Sequence, residues 1–165
     1  MKQIIYIMGV AGSGKTTIGK LLNQKTGIPF FDADDFHPQA NKEKMKAGHA
    51  LNDEDRAAWL QELNSLAMEQ TQLNGAIIAC SALKEKYRSV LNMGITKPIW
   101  IFLQGSYETI MERMKNRPGH FMPASLLQSQ FDSLEIPADA LSISIEKEAE
   151  SIVEIIYTYL LSDVV

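Results

Sequence analysis

The chain reads Gly9-Val10-Ala11-Gly12-Ser13-Gly14-Lys15-Thr16 directly after the apolar run Ile4-Ile5-Tyr6-Ile7-Met8. This octapeptide matches the pattern G-x-x-x-x-G-K-[ST] at every position, and the amphipathic segment Thr17–Lys25 follows it. In such a loop the glycines let backbone N–H groups turn inward around an anion, and the following helix adds its positive N-terminal end. A chance glycine-rich turn does not explain the strand before it and the helix after it. The pattern therefore predicts a phosphate-binding loop for ATP or GTP at residues 9–16, with Thr17 beside it.

Two side chains of this loop have predicted roles in phosphate chemistry. Lys15 can place a positive charge at the β- and γ-phosphates, and the Thr16 hydroxyl can serve as a ligand of Mg²⁺. The sequence therefore predicts ATP and Mg²⁺ as cofactors of a phosphate-transferring protein.

The composition limits the size and partners of the protein. With 165 residues, 45% of them hydrophobic, the chain can form one sizeable core, which predicts a single domain over residues 1–165. Sixteen basic against twenty acidic residues give a net charge of −4. This charge argues against nucleic acid or an anionic membrane as the main partner, and favours a small-molecule substrate. The composition does not determine the oligomeric state, and a homodimer is one of the open alternatives.

The single cysteine, Cys80, excludes an internal disulfide, and its place at the end of an apolar run predicts a buried, inert thiol. The N-terminal sequence lacks a signal-peptide pattern, and no apolar run approaches the length of a membrane span. We therefore expect a cytoplasmic protein.

Apolar runs alternate with helical patterns along the chain, which is typical of a parallel sheet wrapped by helices, an α/β fold. The predicted strands are Gln3–Met8, Pro29–Asp32, Ala76–Cys80, Pro98–Leu103 and Leu141–Ile145. Besides the helix after the phosphate loop, the predicted helices are Asp53–Leu73, Lys84–Met93, Tyr107–Asn116 and Glu146–Leu161. The longest of them has Asn52 or Asp53 at its N-cap and Trp59, Leu60, Leu63 and Leu66 along one face.

In open parallel sheets, ligands bind beyond the carboxyl ends of the strands, and polar residues follow two of the strands here. Asp32 and Asp34 leave the second strand, so one could orient hydrated Mg²⁺ while the other accepts a proton from an attacking hydroxyl. They could also be ordinary turn residues. Lys84 and Arg88 follow the third strand, and Lys84 could equally be a solvated surface charge.

A third group of charges precedes the least regular stretch of the chain. Arg113 and Arg117 lie four residues apart at the end of a predicted helix, and therefore share a face. They could offset charge on a phosphoryl group in transfer, or cap the helix's last carbonyl groups. The loop after them contains Pro118, Gly119 and Pro123, which predicts a lid over residues 117–124.

The order of the motifs resembles the gluconokinase family over nearly the whole chain. After the phosphate loop, the resemblance is carried by Asp32-Ala33-Asp34-Asp35-Phe36-His37-Pro38, Asn41, Lys44-Met45, Gly48, Leu51-Asn52-Asp53-Glu54-Asp55-Arg56 with Trp59-Leu60, Cys80-Ser81-Ala82-Leu83-Lys84 with Tyr87-Arg88, Gly119-His120-Phe121-Met122, Ser129-Gln130-Phe131 and Leu134-Glu135 with Pro137. One departure is Ala58, where the family often has proline; this puts a local backbone detail in doubt.

The resemblance implies a P-loop kinase fold similar to that of shikimate and nucleoside monophosphate kinases, with sheet order 2-3-1-4-5, an acceptor-binding helical region at about residues 35–73 and a lid. It also implies phosphorylation of D-gluconate at the 6-hydroxyl, which gives 6-phospho-D-gluconate and ADP. A pocket for this acceptor needs a cation and many hydrogen-bonding groups. The side chains that could supply them are Asp34, His37, Asn41, Arg56, Lys84, Arg88, His120 and Gln130.

The implied division of labour gives Lys15, Asp34, Arg113 and Arg117 to phosphoryl transfer, and Thr16 and Asp32 to the metal. Arg56, with Arg88 behind it, is the candidate for the acceptor carboxylate, because an arginine offers two parallel N–H donors. Two alternatives stay open from the residues alone. One is a kinase for another small acceptor, such as another sugar acid, a shikimate-like compound or a nucleotide. The other is a nucleotide-binding switch that acts through a partner protein.

Overall fold

The computed structural model describes residues 2–117 and 123–162, which form a five-stranded parallel sheet flanked by helices. The strands are β1 (Ile4–Met8), β2 (Phe30–Asp32), β3 (Ala76–Ala79), β4 (Ile99–Gln104) and β5 (Leu141–Ser144). The helices are α1 (Lys15–Thr26), α2 (Gln39–Lys46), α3 (Asp53–Gln72), α4 (Glu85–Asn92), α5 (Tyr107–Lys115), α6 (Ala124–Ser133) and α7 (Ala149–Ser162). The strand order β2-β3-β1-β4-β5 confirms the predicted fold class and the predicted sheet order.

β1 is the central strand, and all five of its residues are buried. It pairs with β3 and β4, so that Ile7 lies opposite Ala79 on one side and Ile101 on the other. Because side chains alternate across a strand, Ile5 and Ile7 pack on one face of the sheet while Tyr6 and Met8 pack on the other. The first face is covered mainly by α1 and α7, and the second by α3 and α4.

α3 shows why the sequence pattern located this helix well. Asn52 is its N-cap and forms a capping box with Asp55, since each side chain accepts a hydrogen bond from the other residue's backbone N–H. Trp59, Leu60 and Leu63 are buried as predicted, whereas Ala67 and not Leu66 completes the buried row. Ala58 is exposed on the helix surface.

Three short elements are absent from the individual sequence predictions, and the start of α7 differs more than the other boundaries, which agree to within one or two residues. The individual predictions contain neither α2, nor α6, nor the 3₁₀ turn Ala33–Phe36. In α2 the only buried residue is Asn41, so the helix has no apolar stripe that a periodicity could reveal. α7 starts at Ala149, three residues later than predicted, because the residues directly after β5 form a turn.

The fold brings the phosphate loop, the end of β2 and the end of β3 to one edge of the sheet. Cys80 is buried at the end of β3, as predicted, and burial raises the pKa of its thiol to about 12. Among residues 2–117 and 123–162, no helix combines the length and the apolar character needed to cross a membrane.

Candidate active site

The phosphate loop is an open turn whose backbone requires glycine. Gly12 and Gly14 have φ angles of 77° and 97°, the left-handed region that other residues avoid, and Gly14 is the N-cap of α1. A Cβ atom on Gly9 would lie 2.7 Å from the Ser13 Oγ and 2.9 Å from the backbone oxygen of Leu103. These positions let the loop curve tightly in front of α1, whose N-terminal end favours an anion.

Lys15 is the first residue of α1, and its ammonium group folds back over the loop. Its Nζ donates to the backbone oxygens of Gly9 and Val10 at 3.0 Å each. Burial lowers the pKa of Lys15, and this effect is partly offset by the carboxylates of Asp34 and Asp32. The lysine is thus placed to meet a phosphate above the loop.

Asp32 and Thr16 lie side by side at the end of β2. The Thr16 Oγ1 donates to Asp32 Oδ2 at 2.8 Å, and the other carboxylate oxygen accepts from the backbone N–H of Asp34 at 3.0 Å. The two residues predicted as metal ligands therefore lie together, and both border the cavity beside the loop.

Asp34 extends from the 3₁₀ turn into the cleft. Its side chain is 84% exposed, so water reaches the carboxylate even though protein surrounds the cleft on several sides. The pKa of Asp34 is raised, first by desolvation between these walls and then by Asp32, while Lys15 opposes the shift.

His37 and Trp59 support the turn that carries Asp34. The Trp59 Nε1 donates to the backbone oxygen of Ala33 at 2.7 Å, and the His37 ring stacks on the indole. His37 is buried, and burial together with the nearby charge of Arg56 lowers its pKa to about 4. A neutral imidazole therefore lines the cleft, with its Nε2 3.8 Å from Asp34 Oδ1.

Arg56 is a half-buried residue of α3 whose guanidinium borders the same cleft. It donates to the backbone oxygen of Leu51 and, over 3.3 Å, to the Tyr87 hydroxyl. It is the predicted carboxylate reader, and the structure places it beside the other acceptor candidates Asp34 and His37.

Three residues predicted for the acceptor are occupied elsewhere. Arg88 is buried, and all five of its N–H donors are used: they reach the Glu85 carboxylate and the backbone oxygens of Ala82, Leu83 and Glu135. This leaves Arg88 no donor for a ligand, so it does not belong to the site.

Asn41 and Lys84 also serve the protein's own structure. The Asn41 Nδ2 donates to the backbone oxygen of Asp55 at 2.8 Å, which docks α2 on α3. The Lys84 Nζ lies 3.4 Å from the Asp53 carboxylate, and Lys84 is not among the residues that border the cleft. Sequence position alone did not reveal these partners, since both are on other elements.

Gln130 of α6 touches the phosphate loop directly. Its Oε1 accepts a hydrogen bond of 2.7 Å from the backbone N–H of Ala11. Gln130 therefore lies where the loop meets the cleft that Asp34, His37 and Arg56 border.

The two predicted arginines of α5 differ in position. Arg113 donates to the backbone oxygen of Ile145. Two cavities adjoin the phosphate loop, and Arg113 borders only the larger, which lies between the loop, α5 and the turn after β5. Arg117 borders both cavities. The geometry thus separates them: Arg117 lies where the two cavities meet, and Arg113 contacts the turn after β5. His120 and most of the predicted lid, residues 118–122, lie outside the described residues.

Two cavities meet at the phosphate loop. The larger, about 780 Å³, lies between the loop, α5 and the turn after β5. The smaller, about 470 Å³, lies on the other side of the loop. Besides the loop it is bordered by Asp32, Asp34, His37, Met45, Leu51, Arg56, Trp59, Ala79, Ser81, Arg117 and Gln130. The larger cavity has enough volume for a nucleoside. The smaller cavity is polar and adjoins the phosphate loop.

Several residues of these cavities were missing from the predicted site. Ser81 and Trp59 border the smaller cavity, and Glu146, Lys147 and Glu148 border the larger one. The rule that ligands gather beyond strand ends does point to Ser81, which follows the third strand, and it would also have pointed to the turn after β5. Trp59 has no such signal, because its helical pattern is that of an ordinary core residue.

Comparison with known proteins gives consistent matches over most of the chain. The model of the shikimate kinase family matches residues 11–158. A probable gluconokinase of Xenopus tropicalis is 45% identical, over 91% of this chain and 89% of that protein. The thermosensitive gluconokinase of Escherichia coli K12 is 42% identical, over 90% of this chain and 82% of that protein. The crystal structure of a gluconokinase from Sinorhizobium meliloti 1021 superimposes with a TM-score of 0.84 at 36% identity, over 93% of this chain and 88% of that one.

Proposed function

The chain belongs to the gluconokinase family, within the shikimate kinase group of P-loop proteins, and on this premise we propose that it transfers the γ-phosphoryl group of ATP to the 6-hydroxyl of D-gluconate. The observation that carries the proposal is the content of the smaller cavity. Asp34, Arg56 and Gln130 face one polar space that opens onto the phosphate loop.

The acceptor is proposed to bind in this smaller cavity, with its two ends recognised differently. Arg56 receives the carboxylate, since its guanidinium can donate two parallel N–H bonds. Asp34 orients the 6-hydroxyl and can accept its proton, which its raised pKa favours. The neutral His37 adds a hydrogen-bonding ring nitrogen without adding charge.

The nucleotide is proposed to occupy the larger cavity, with its phosphates in the loop. The loop N–H groups and Lys15 hold the β- and γ-phosphates, and Arg117, which borders both cavities, offsets charge as the phosphoryl group moves. Because the transition state of phosphoryl transfer is loose, positioning and electrostatics contribute more than proton removal. Asp34 is therefore assigned first to orientation and second to proton acceptance.

The Thr16 hydroxyl and the Asp32 carboxylate fit a Mg²⁺ site, because they are oxygen donors that already lie 2.8 Å apart beside the loop. Within residues 2–117 and 123–162, no group of three or more His, Cys, Asp or Glu side chains could hold a metal by itself. Mg²⁺ commonly binds one or two protein oxygens together with phosphate oxygens and water, which suits this pair. When bound, the ion would neutralise charge on the transferring phosphates.

A panel assay tests the proposal. ADP release is measured with ATP, Mg²⁺ and one acceptor at a time: D-gluconate, other sugar acids, shikimate, nucleoside monophosphates, and no acceptor. We expect gluconate to give the highest kcat/KM and a phosphorylated product at the 6-position. Faster turnover with another acceptor would reassign the substrate. ATP turnover that no acceptor increases would favour a nucleotide switch.

The cytoplasmic location, the homodimer and the lid at residues 117–124 stay predictions from the sequence.

A further inference from the structure

Tyr87 lies behind Arg56, which borders the smaller cavity. It belongs to α4 and is only 5% exposed. The Arg56 guanidinium sits over its ring, with 5.2 Å from the guanidinium carbon to the ring centroid. At this distance the positive charge is attracted by the face of the aromatic ring.

The Tyr87 hydroxyl joins Arg56 to a second charged group. It accepts from Arg56 Nη1 at 3.3 Å and donates to the carboxylate of Asp53, which is also paired with Lys84 and Lys86. The directions of these bonds are fixed, because burial first and then Asp53 raise the pKa of Tyr87 to about 12, so the hydroxyl stays protonated. The chain of donors therefore runs from Arg56 through Tyr87 to Asp53.

We infer that Tyr87 is a positioning residue, which holds the Arg56 guanidinium facing the acceptor cavity and thereby sets the affinity for the acceptor's carboxylate. This inference rests on the proposed function, in which Arg56 binds that carboxylate.

The physical reason is the conformational freedom of arginine. A free arginine side chain loses rotamer entropy when it is fixed, and a ligand that fixes it bears that cost in affinity. In this protein the ring and hydroxyl of Tyr87 and the backbone oxygen of Leu51 already restrict Arg56. Removal of the Tyr87 hydroxyl removes one of these restraints and leaves the ring in place.

The test compares Tyr87→Phe with the matched variant Tyr6→Phe. Tyr6 is also buried, and its hydroxyl also donates a hydrogen bond to a residue distant in sequence, the backbone oxygen of Leu91 at 2.9 Å. Both residues lie on the sheet face that α3 and α4 cover. We expect Tyr87→Phe to raise the KM for gluconate at least about threefold, with a smaller change in kcat and in the KM for ATP. Tyr6→Phe should change none of these by more than twofold. Equal effects of the two variants would overturn the inference.

A second readout needs no acceptor at all. NMR relaxation of the Arg56 Nε–H group in the ligand-free protein reports how firmly the guanidinium is held. Its order parameter should fall in Tyr87→Phe and stay unchanged in Tyr6→Phe. An unchanged order parameter in Tyr87→Phe overturns the inference, whichever acceptor the protein uses. Failure of the inference is therefore distinguishable from failure of the proposed function.

A double-mutant cycle tests whether Tyr87 acts through Arg56. In an Arg56→Lys background, Tyr87→Phe should raise the KM for gluconate by less than half the factor seen in the native background. Equal factors in both backgrounds would show that Tyr87 acts independently of Arg56, and would also overturn the inference.

Discussion

The ring of His37 lies flat on the indole of Trp59, with centroids 4.1 Å apart and an angle of 15° between the planes. Because the same indole holds the backbone of Ala33 through its N–H, the stack fixes the turn that carries Asp34. The carboxylate of Asp34 is thus exposed, while the aromatic pair that supports its turn is buried.

This stack makes stability dependent on pH. The pKa of His37 is about 4 in the folded protein and about 6.5 in an unfolded chain, so below pH 6.5 the unfolded chain binds a proton that the folded protein does not. The contribution of neutral His37 to the free energy of unfolding is therefore complete above pH 6.5, and it is lost as the pH falls to about 4. Between pH 7 and 5 this amounts to about 2 kcal/mol in the free energy of unfolding, an order-of-magnitude value.

His37→Phe keeps an aromatic ring on Trp59 but removes the group that takes up the proton. When the pH is lowered from 7 to 5, we expect the free energy of unfolding of this variant to fall by about 2 kcal/mol less than that of the native protein. Urea unfolding at the two pH values measures the difference. Identical pH dependence in both proteins would show that His37 can be protonated without unfolding.

Lys15→Ala should abolish gluconate phosphorylation and leave the protein folded. Within the described part of the chain the Lys15 ammonium bonds only to the backbone oxygens of Gly9 and Val10, and thus contributes little to the core. The exposed Lys20, on the same helix, provides the control Lys20→Ala, which should keep native activity. Activity assays with circular dichroism check both. A folded Lys15→Ala protein with native turnover would remove the lysine from the mechanism.

Asp34→Asn keeps the shape of the side chain and removes its charge. We expect kcat to fall by at least about a hundredfold, the lower end of the range for a positioned general base. Asp35→Asn is the matched control, since Asp35 is exposed in the same 3₁₀ turn and does not border the cleft. Should kcat survive in Asp34→Asn, the role would pass to Asp32.

Arg56→Lys should weaken gluconate binding and leave the KM for ATP nearly unchanged, because lysine cannot form the paired N–H bonds to a carboxylate. D-Glucitol has a hydroxymethyl group in place of the carboxylate. The substitution should therefore weaken the binding of D-glucitol less than it weakens the binding of gluconate. Steady-state kinetics with both acceptors decide the matter, and equal losses would show that Arg56 does not read the carboxylate.

Arg117→Ala and Arg113→Ala should give different defects. Arg117 borders both cavities, so its loss should lower kcat far more than nucleotide binding. Arg113 holds the Ile145 backbone oxygen beside the larger cavity, so its loss should mainly weaken nucleotide binding. Calorimetry with a non-hydrolysable ATP analogue and turnover assays separate the two effects. The same defect in both variants would contradict the separate roles.

The sequence alone determined the features that depend on neighbours along the chain. The phosphate loop needs its glycines, Lys15 and Thr16 at fixed spacing between a strand and a helix, so eight consecutive residues identify it. The five strands and the capped helix α3 follow from periodicity and from local side-chain to backbone bonds. Asp32 and Asp34 could be placed near the loop because parallel strands end at a common edge.

Only the tertiary structure decided which polar side chains are free for a ligand. In the sequence Arg56 and Arg88 are both candidates for the acceptor carboxylate, yet Arg88 has all five N–H donors engaged by Glu85 and three backbone oxygens, while Arg56 borders the cavity. The partners of Arg88 include Glu135, 47 residues away. A hydrogen-bond donor is available to a ligand only if no nearer acceptor has taken it, and such acceptors are set by chain segments that meet through folding.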